Sequence, residues 1–323
     1  MEWMIYGANG YTGALIAREA KRRGSAPILA GRAAAKITEL ARELGLPSRV
    51  FSLDEPLAIA AALQGAGLVL NCAGPFSKTA DLMMRACLAA KAHYLDITGE
   101  IDVLEGVHRY DADAKSAGVI LCPGVGFDVT PTDCIALMLK TALPEAHELA
   151  LGFESDHRMS PGTAKTLVEG LGKSGKIRRG GRLIDLPIGR GCRDIDFGRG
   201  PKRAMPIPWG DVASAFYTTG ILNITVFTPV ASPLLTMVAC QDRRRALRVP
   251  HPLRRAAPNE APPRRLGAKT LYSNVREIVE LRDRAAGPSH LFRALLQRNA
   301  VDHAHAVESE MKLCEYANSR ITR

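Results

Sequence analysis

A chain of 323 residues with 46% hydrophobic and 24% charged residues has the balance of a folded globular protein, long enough for two domains, and is not disordered over most of its length. Aromatic residues at 5% are too sparse for a base-stacking platform, so no nucleic-acid partner is expected. The net charge of +10 is local: from Gln241 to the end 17 Lys and Arg stand against 9 Asp and Glu, which puts +8 in that quarter and leaves the rest near neutral.

The opening Met1-Glu2-Trp3 runs straight into an apolar stretch, MEWMIYG, that predicts a strand. It leaves no room for a signal or transit peptide, so a cytoplasmic location is expected. YTGALIAREAKRRG then has helical apolar spacing and stops at Gly24, and APILAGR is a second strand. KITELARELG predicts a helix, SRVFSLD a strand, PLAIAAALQGAG a helix and GLVLNCAG a strand. KTADLMMRACLAAK predicts a helix, HYLDITGE a strand, and VHRYDADAKSAG a helix leading into VILCPGVGFD. Strands that read as continuous apolar runs between helices imply an α/β, Rossmann-type doubly wound parallel sheet.

Beyond Thr130 the pattern changes. Helix TPTDCIALMLKTAL precedes the strand-like HELALGFES, the helical SPGTAKTLVEGLGK, and short pieces RLIDLPIG, RDIDFG and GILNITVFTPV. These predict a second α+β domain with an antiparallel sheet. Residues 241–266 turn to Arg, Pro and Ala, the composition of an exposed linker or tail. Three regions follow: a Rossmann domain over 1–145, an α+β substrate domain over 146–240, and a basic region of uncertain structure over 241–323.

Gly7, Gly10 and Gly13 stand between the first strand and first helix, where a missing β-carbon permits a tight turn and lets backbone approach a diphosphate held on the helix N-terminus. Ala8, Asn9, Tyr11 and Thr12 complete that loop. At the end of the second strand, where a carboxylate would bind unphosphorylated ribose, the chain has Arg32 with Lys36 one turn on, which favours the 2′-phosphate of NADP(H). The other reading of Arg32 is a solvated helix-start residue. Asp54 is placed to accept from adenine or to cap the helix at Pro56. Asn71, Ala73, Gly74, Pro75 and Phe76 end the fourth strand, where the sheet edge would face the cofactor ribose and nicotinamide.

Taken together, GANGYTG, LAGR, NCAGPF, HYLDITGE and GVGFDVTPTD, and later SPGTAKTLVEG, DFGRG and PWGDVASAFYTTGILN, resemble the saccharopine dehydrogenase-like oxidoreductases, including mycobacterial trans-acting enoyl reductases, over about residues 2–230. The resemblance implies a Rossmann domain with NADP(H) against Gly7, Gly10, Gly13, Arg32, Ala73, Gly74 and Pro75, plus an α+β domain. It also implies reduction of a carbon–carbon double bond in an acyl or polyketide thioester held on a carrier. Asn9 stands where many relatives carry Thr, and after about residue 241 the family pattern ends.

For such a reduction, candidate catalytic groups are Tyr94, Asp96, Thr98 and Glu100 after the fifth strand, with Asp128 and Asp133 from GVGFDVTPTD. Asp128 and Thr130 also read as helix caps, and Tyr94 and Asp96 share one face of a strand that packing alone would explain. In the second domain Ser160, Thr163, Trp209, Asp211 and Tyr217 are candidates for a substrate channel. Tyr217 is either a proton donor or packed on a sheet, and His157 suits acid work or lies on the surface. The seven cysteines (72, 87, 122, 134, 192, 240, 314) lack any Cys-x-x-Cys pair and read as reduced thiols; no metal cluster and no G-x-S-x-G elbow are present.

Residues 212–240 carry no charge and Arg243, Arg244, Arg245 and Arg248 follow. A buried strand with a short helix SPLLTMVAC explains the run; peripheral contact at the inner face of the plasma membrane, or docking of an acidic carrier protein, stays open. So do a homodimer, a catalytically silent NADP-binding regulator or assembly protein, and a saccharopine-type imine or amine dehydrogenase.

Overall fold

The computed structural model describes residues 1–155, 175–197, 200–230, 275–282 and 291–298. A first compact unit holds Met1–Asp133, and a second holds the described residues from Cys134 onward.

In the first unit the apolar runs become strands because both of their faces are covered. β1 (Glu2–Tyr6), β2 (Ile28–Gly31), β3 (Ser48–Val50), β4 (Ala66–Asn71), β5 (His93–Asp96) and β6 (Leu121–Cys122) pair in parallel, in the order β3-β2-β1-β4-β5-β6. Met4 and Tyr6 point into one core with Ile28, Val69 and Tyr94, whereas Ile5 points into the other with Leu29, Leu70 and Leu95. Helices α1 (Tyr11–Arg22) and α2 (Ala34–Leu44) cover the second face with Ile16, Ala17, Ile37 and Leu40. Helices α3 (Pro56–Ala62), α4 (Phe76–Ala90) and α5 (Ile101–Gly106) cover the first, through Ile59, Met83, Met84 and Val103. Each such fully buried aliphatic side chain contributes about 1.5–3 kcal/mol. Because successive crossovers are right-handed, helices on opposite faces mean that the chain winds outward in both directions from β1 and β4. The cleft between their carboxyl ends is the switch point where doubly wound sheets bind ligands.

Two boundaries differ from expectation. Helix α2 starts at Ala34, ahead of Lys36, since the alanines of its lead-in are strong helix formers. The expected helix over 107–118 is a 3₁₀ turn (Val107–Tyr110) and a separate α6 (Asp111–Ala117). Tyr110 turns inward at that break, donating to Asp81 (2.6 Å) and accepting from Arg85 (3.0 Å), both on α4.

Helix α7 (Thr130–Ala142) carries the chain into the second unit. There β7 (Glu148–Ser155), β8 (Gly175–Arg179), β9 (Arg182–Leu186), β10 (Arg193–Asp196), β11 (Pro201–Ile207), β12 (Asn223–Pro229), β13 (Val275–Arg282) and β14 (Leu291–Arg298) form one sheet. Its path is β10-β11-β12-β7-β13-β14, with β8 joining β12 to β9. The pairings are antiparallel except β12 with β7, so the sheet is mixed rather than wholly antiparallel. Helix α8 (Asp211–Thr219) buries Val212, Ala213 and Ala215. β13 and β14 show that the basic C-terminal region contributes sheet. The expected helices SPGTAKTLVEGLGK and SPLLTMVAC, the 241–266 tail, Ser160, Thr163, His157 and the arginines at 243–248 lie outside the described residues. Among the described residues no helix is long and apolar enough to cross a membrane.

Candidate functional site

The glycine loop follows from how β1 ends. Gly7 has φ +81°, a conformation that strains any residue with a β-carbon, and its N–H and that of Ala8 both donate to the Ala30 carbonyl on β2 (2.8 and 3.1 Å). The Gly10 N–H donates to the Gly7 carbonyl (2.9 Å), closing the turn. A β-carbon on Gly7 would lie 2.9 Å from the Ala73 nitrogen, and one on Gly13 would lie 2.9 Å from the Ala8 Cα and against the Gly7 carbonyl oxygen. The backbone is therefore packed against backbone at both positions. Helix α1 starts at Tyr11, Thr12 and Gly13 with no side-chain cap from Gly10 and no acidic residue in its first turn. Such an end favours an anion. This cradle, kept open by missing side chains, fits a dinucleotide diphosphate.

The ribose end is built by β2 and β3. Asn9 packs over Gly31, where a β-carbon would meet its Oδ1 at 3.1 Å. Arg32 and Lys36 are exposed, and neither has an ion-pair or hydrogen-bond partner among the described residues. Most arginines of this unit are paired, for example Arg18 with Glu43 and Arg85 with Asp81. Asp54 accepts from the Ser52 hydroxyl (2.8 Å), and Glu55, not Asp54, precedes α3, so the expected helix-cap role of Asp54 is replaced by a local turn. Arg32 and Asp54 flank the Tyr6 phenol: burial raises its pKa, the Arg32 charge lowers it and the Asp54 charge raises it.

At the sheet edge beyond β4 and β5 the polar side chains form a connected ring. Asn71 accepts from the Ala73 N–H (3.0 Å) and donates through Nδ2 to the Tyr94 hydroxyl and to Thr79 Oγ1 (both 3.3 Å). Tyr94 donates to Asp96 Oδ2 (2.6 Å), while Asp96 Oδ1 accepts from the Thr98 and Gly124 N–H groups (2.9 and 2.8 Å). Thr98 Oγ1 accepts from the Glu100 N–H (3.0 Å), and the Glu100 carboxylate accepts from the Phe76 and Ser77 N–H groups (2.7 and 2.8 Å). Thr79 donates to the Ala73 carbonyl (2.7 Å), closing the ring on the Ala73-Gly74-Pro75 loop.

Tyr94 and Asp96 are both 0% exposed. Burial, then the Asp96 charge, pushes the Tyr94 phenol well above its usual range. Burial outweighs three hydrogen bonds to push Asp96 up to about 6. These groups are engaged with one another and with backbone. Asp128 is partly exposed and lies over Gly99, where a β-carbon would meet its Oδ2 at 3.2 Å, and burial pushes its carboxyl up to about 6. The Thr130 hydroxyl donates back to the Gly124 carbonyl (3.3 Å).

In the second unit the Trp209 ring stacks at 4.5 Å on Phe153, and Asp211 is buried at the start of α8. Tyr217 sits on helix α8 and not on a sheet, 46% exposed, edge-on to Phe216. A residue the sequence does not single out, Arg178, is buried beneath it and donates to the carbonyls of Val212 and Gly181 (2.9 and 2.8 Å), with Phe216 over its guanidinium. Only the bare pattern KIRR precedes the turn, which carries no signal for such burial. Among the described residues no group of His, Cys, Asp and Glu is arranged to hold a metal ion.

Residues 3–122 match the family model described as the saccharopine dehydrogenase NADP binding domain. The chain is 29% identical over 201 residues to a probable mitochondrial saccharopine dehydrogenase-like oxidoreductase of Arabidopsis thaliana, covering 55% of this chain and 44% of that one. It is 29% identical over 141 residues to a trans-acting enoyl reductase of Mycobacterium bovis, covering 40% and 33%. The chain thus spans about half or less of the length of these relatives. In fold it is similar to saccharopine dehydrogenase (L-Glu forming) from Saccharomyces cerevisiae, with a TM-score of 0.54 at 11% identity over 73% of this chain and 56% of that one. The diphosphate cradle and the two exposed cations at its ribose end all lie inside this matched segment, so residues 3–122 are an NADP-binding domain similar to that of saccharopine dehydrogenase.

Proposed function

We propose that the protein is an NADPH-dependent reductase of α,β-unsaturated thioesters in lipid or polyketide synthesis. The observation that carries this reading is Asp128, a partly exposed carboxyl held near 6 beside the Gly99 backbone at the sheet edge. An acid in that range is suited to protonating carbon near neutral pH. The relative named a trans-acting enoyl reductase supports the substrate class.

When bound, the reduced nicotinamide supplies a hydride, which adds to the β-carbon of the enoyl group. The glycine loop and the Ala73-Gly74-Pro75 loop hold the coenzyme. Asp128 delivers its proton to the α-carbon, which discharges the negative charge that has moved onto the thioester carbonyl oxygen. Arg32 and Lys36 take the 2′-phosphate. A carrier protein would present the thioester, and the basic stretch beyond Gln241 would favour an acidic one.

The test is turnover of a short 2-enoyl thioester by the full chain, using NADPH deuterated at the transferred position. The product should carry deuterium at the β-carbon, and the rate should fall as pH rises through about 6, because Asp128 must be protonated. Asp128→Asn should lower kcat about 10²- to 10⁴-fold, leave KM for the thioester nearly unchanged, and remove that pH limb. Tight NADPH binding with no enoyl turnover would instead support the silent regulator; oxidation of an amino acid or reduction of an imine would support the saccharopine-type activity.

A further inference from the structure

We propose that Glu100 is a positioning residue for the coenzyme, setting the wall of the crevice that faces the glycine loop; the role rests on the assignment of that crevice as the NADP site. Helices α1 and α4 both begin at the switch point, and their N-termini are treated in opposite ways. α1 has no side-chain cap and no acid in its first turn. α4, 15 residues long, also has no cap from its own N-terminal residue, Pro75, but the Glu100 carboxylate spans the Phe76 and Ser77 N–H groups at 2.7 and 2.8 Å. One helix end is left for the diphosphate, and the other is already satisfied by an internal anion.

The consequence reaches the glycine loop through Ala73. Its nitrogen is held by Asn71 (3.0 Å) and its carbonyl by Thr79 (2.7 Å), and that nitrogen lies 2.9 Å from where a β-carbon on Gly7 would stand. The segment from Ala73 to Ser77 is thus tied at both ends, and Glu100 makes the tie at the α4 end. Glu100 is in turn fixed through its own N–H to Thr98, which hangs from Asp96. Removing the carboxylate leaves two helix N–H groups without their acceptor and lets the segment move toward or away from Gly7. That motion would disturb the half of the coenzyme lying against the β4 loop and leave the Arg32 end as it is.

The experiment compares binding of NADPH and of 2′,5′-ADP, which carries only the adenosine end, to the full-length wild type, Glu100→Gln and Glu100→Ala, with melting of the unliganded proteins. Glu100→Gln keeps the volume and one acceptor oxygen and guards against a folding defect in the alanine variant. The expected result is NADPH affinity weaker by about tenfold in Glu100→Gln and up to about a hundredfold in Glu100→Ala, with 2′,5′-ADP affinity within about twofold of wild type. Equal losses for both ligands would show a merely structural residue and overturn the proposal, as would NADPH binding unaltered in both variants. A wild type that binds neither ligand would overturn the crevice assignment itself.

Discussion

Replacing Gly13 by alanine tests the diphosphate cradle with the smallest perturbation available. Gly13 does not have positive φ, so alanine adds no backbone strain there, and the cost is steric. Its β-carbon would stand 2.9 Å from Ala8 Cα and 3.1 Å from the Gly7 carbonyl carbon, both backbone atoms that cannot rotate away. It would be pressed harder still against the Gly7 carbonyl oxygen, so α1 must retreat from the loop by more than about half an ångström, at about 1–3 kcal/mol or more for overpacking of this kind. The first-turn N–H groups retreat with it. Differential scanning fluorimetry should show melting lowered by several degrees, and calorimetry should show NADPH bound at least about tenfold more weakly. Gly10→Ala is the control, since its β-carbon would meet just the Gly7 carbonyl oxygen, at 3.2 Å; a stability change within about 0.5 kcal/mol is expected. If Gly13→Ala melts and binds NADPH as the wild type does, helix α1 is not docked on the loop as described and the cradle is not the diphosphate site.

Arg32→Asp should reverse coenzyme preference, weakening NADPH about 10- to 100-fold while NADH binding holds or improves; titration with both coenzymes checks it, and retained preference for NADPH would move the phosphate contact elsewhere. Glu19, on α1, accepts from Arg22 Nε and Nη2 and from Arg23 Nε at 2.5–2.7 Å, and these partners hold its pKa near 2 against an ordinary 4.5. A lowered pKa means that the contribution is full above 4.5 and is lost as pH falls toward 2. Glu19→Gln should therefore cost about 1–3 kcal/mol in denaturant titrations at neutral pH, a difference that closes in strong acid.

The Rossmann half is legible because a sheet buried on both faces writes itself as unbroken apolar runs, and because Gly7 and Gly13 occupy a turn where backbone packs against backbone. The place of Arg32, exposed just past the end of β2, follows from the same positional reasoning, while its contact with the 2′-phosphate is part of the proposal. The second sheet is harder. β11 is PKRAMPI, with two prolines and two cations, and β14 is LFRALLQR, whose leucine, alanine and arginine favour helix; strand pairing overrides local preference in both. Within the site, the shared face of Tyr94 and Asp96 is correctly read from their alternation, yet that face is the core, where they bond to one another. The partner of Glu100 lies 24 residues back in the chain, on backbone N–H groups that any residue would supply. Sequence spacing carries no mark of such a bond.

The ring of hydrogen bonds joining Asn71, Tyr94, Asp96, Thr98, Glu100 and Thr79 also bears on how this scaffold can be altered. Each member supplies what its neighbour lacks, so grafting the β4 loop of a homologue by itself strands donors on two other segments, and a transplant succeeds as a set or fails. Arg32 and Lys36 stand outside that circuit. On the proposal that these two cations take the 2′-phosphate, coenzyme choice can drift by single substitutions at the rim while the interior wall stays unchanged, which makes the rim the place to begin re-engineering.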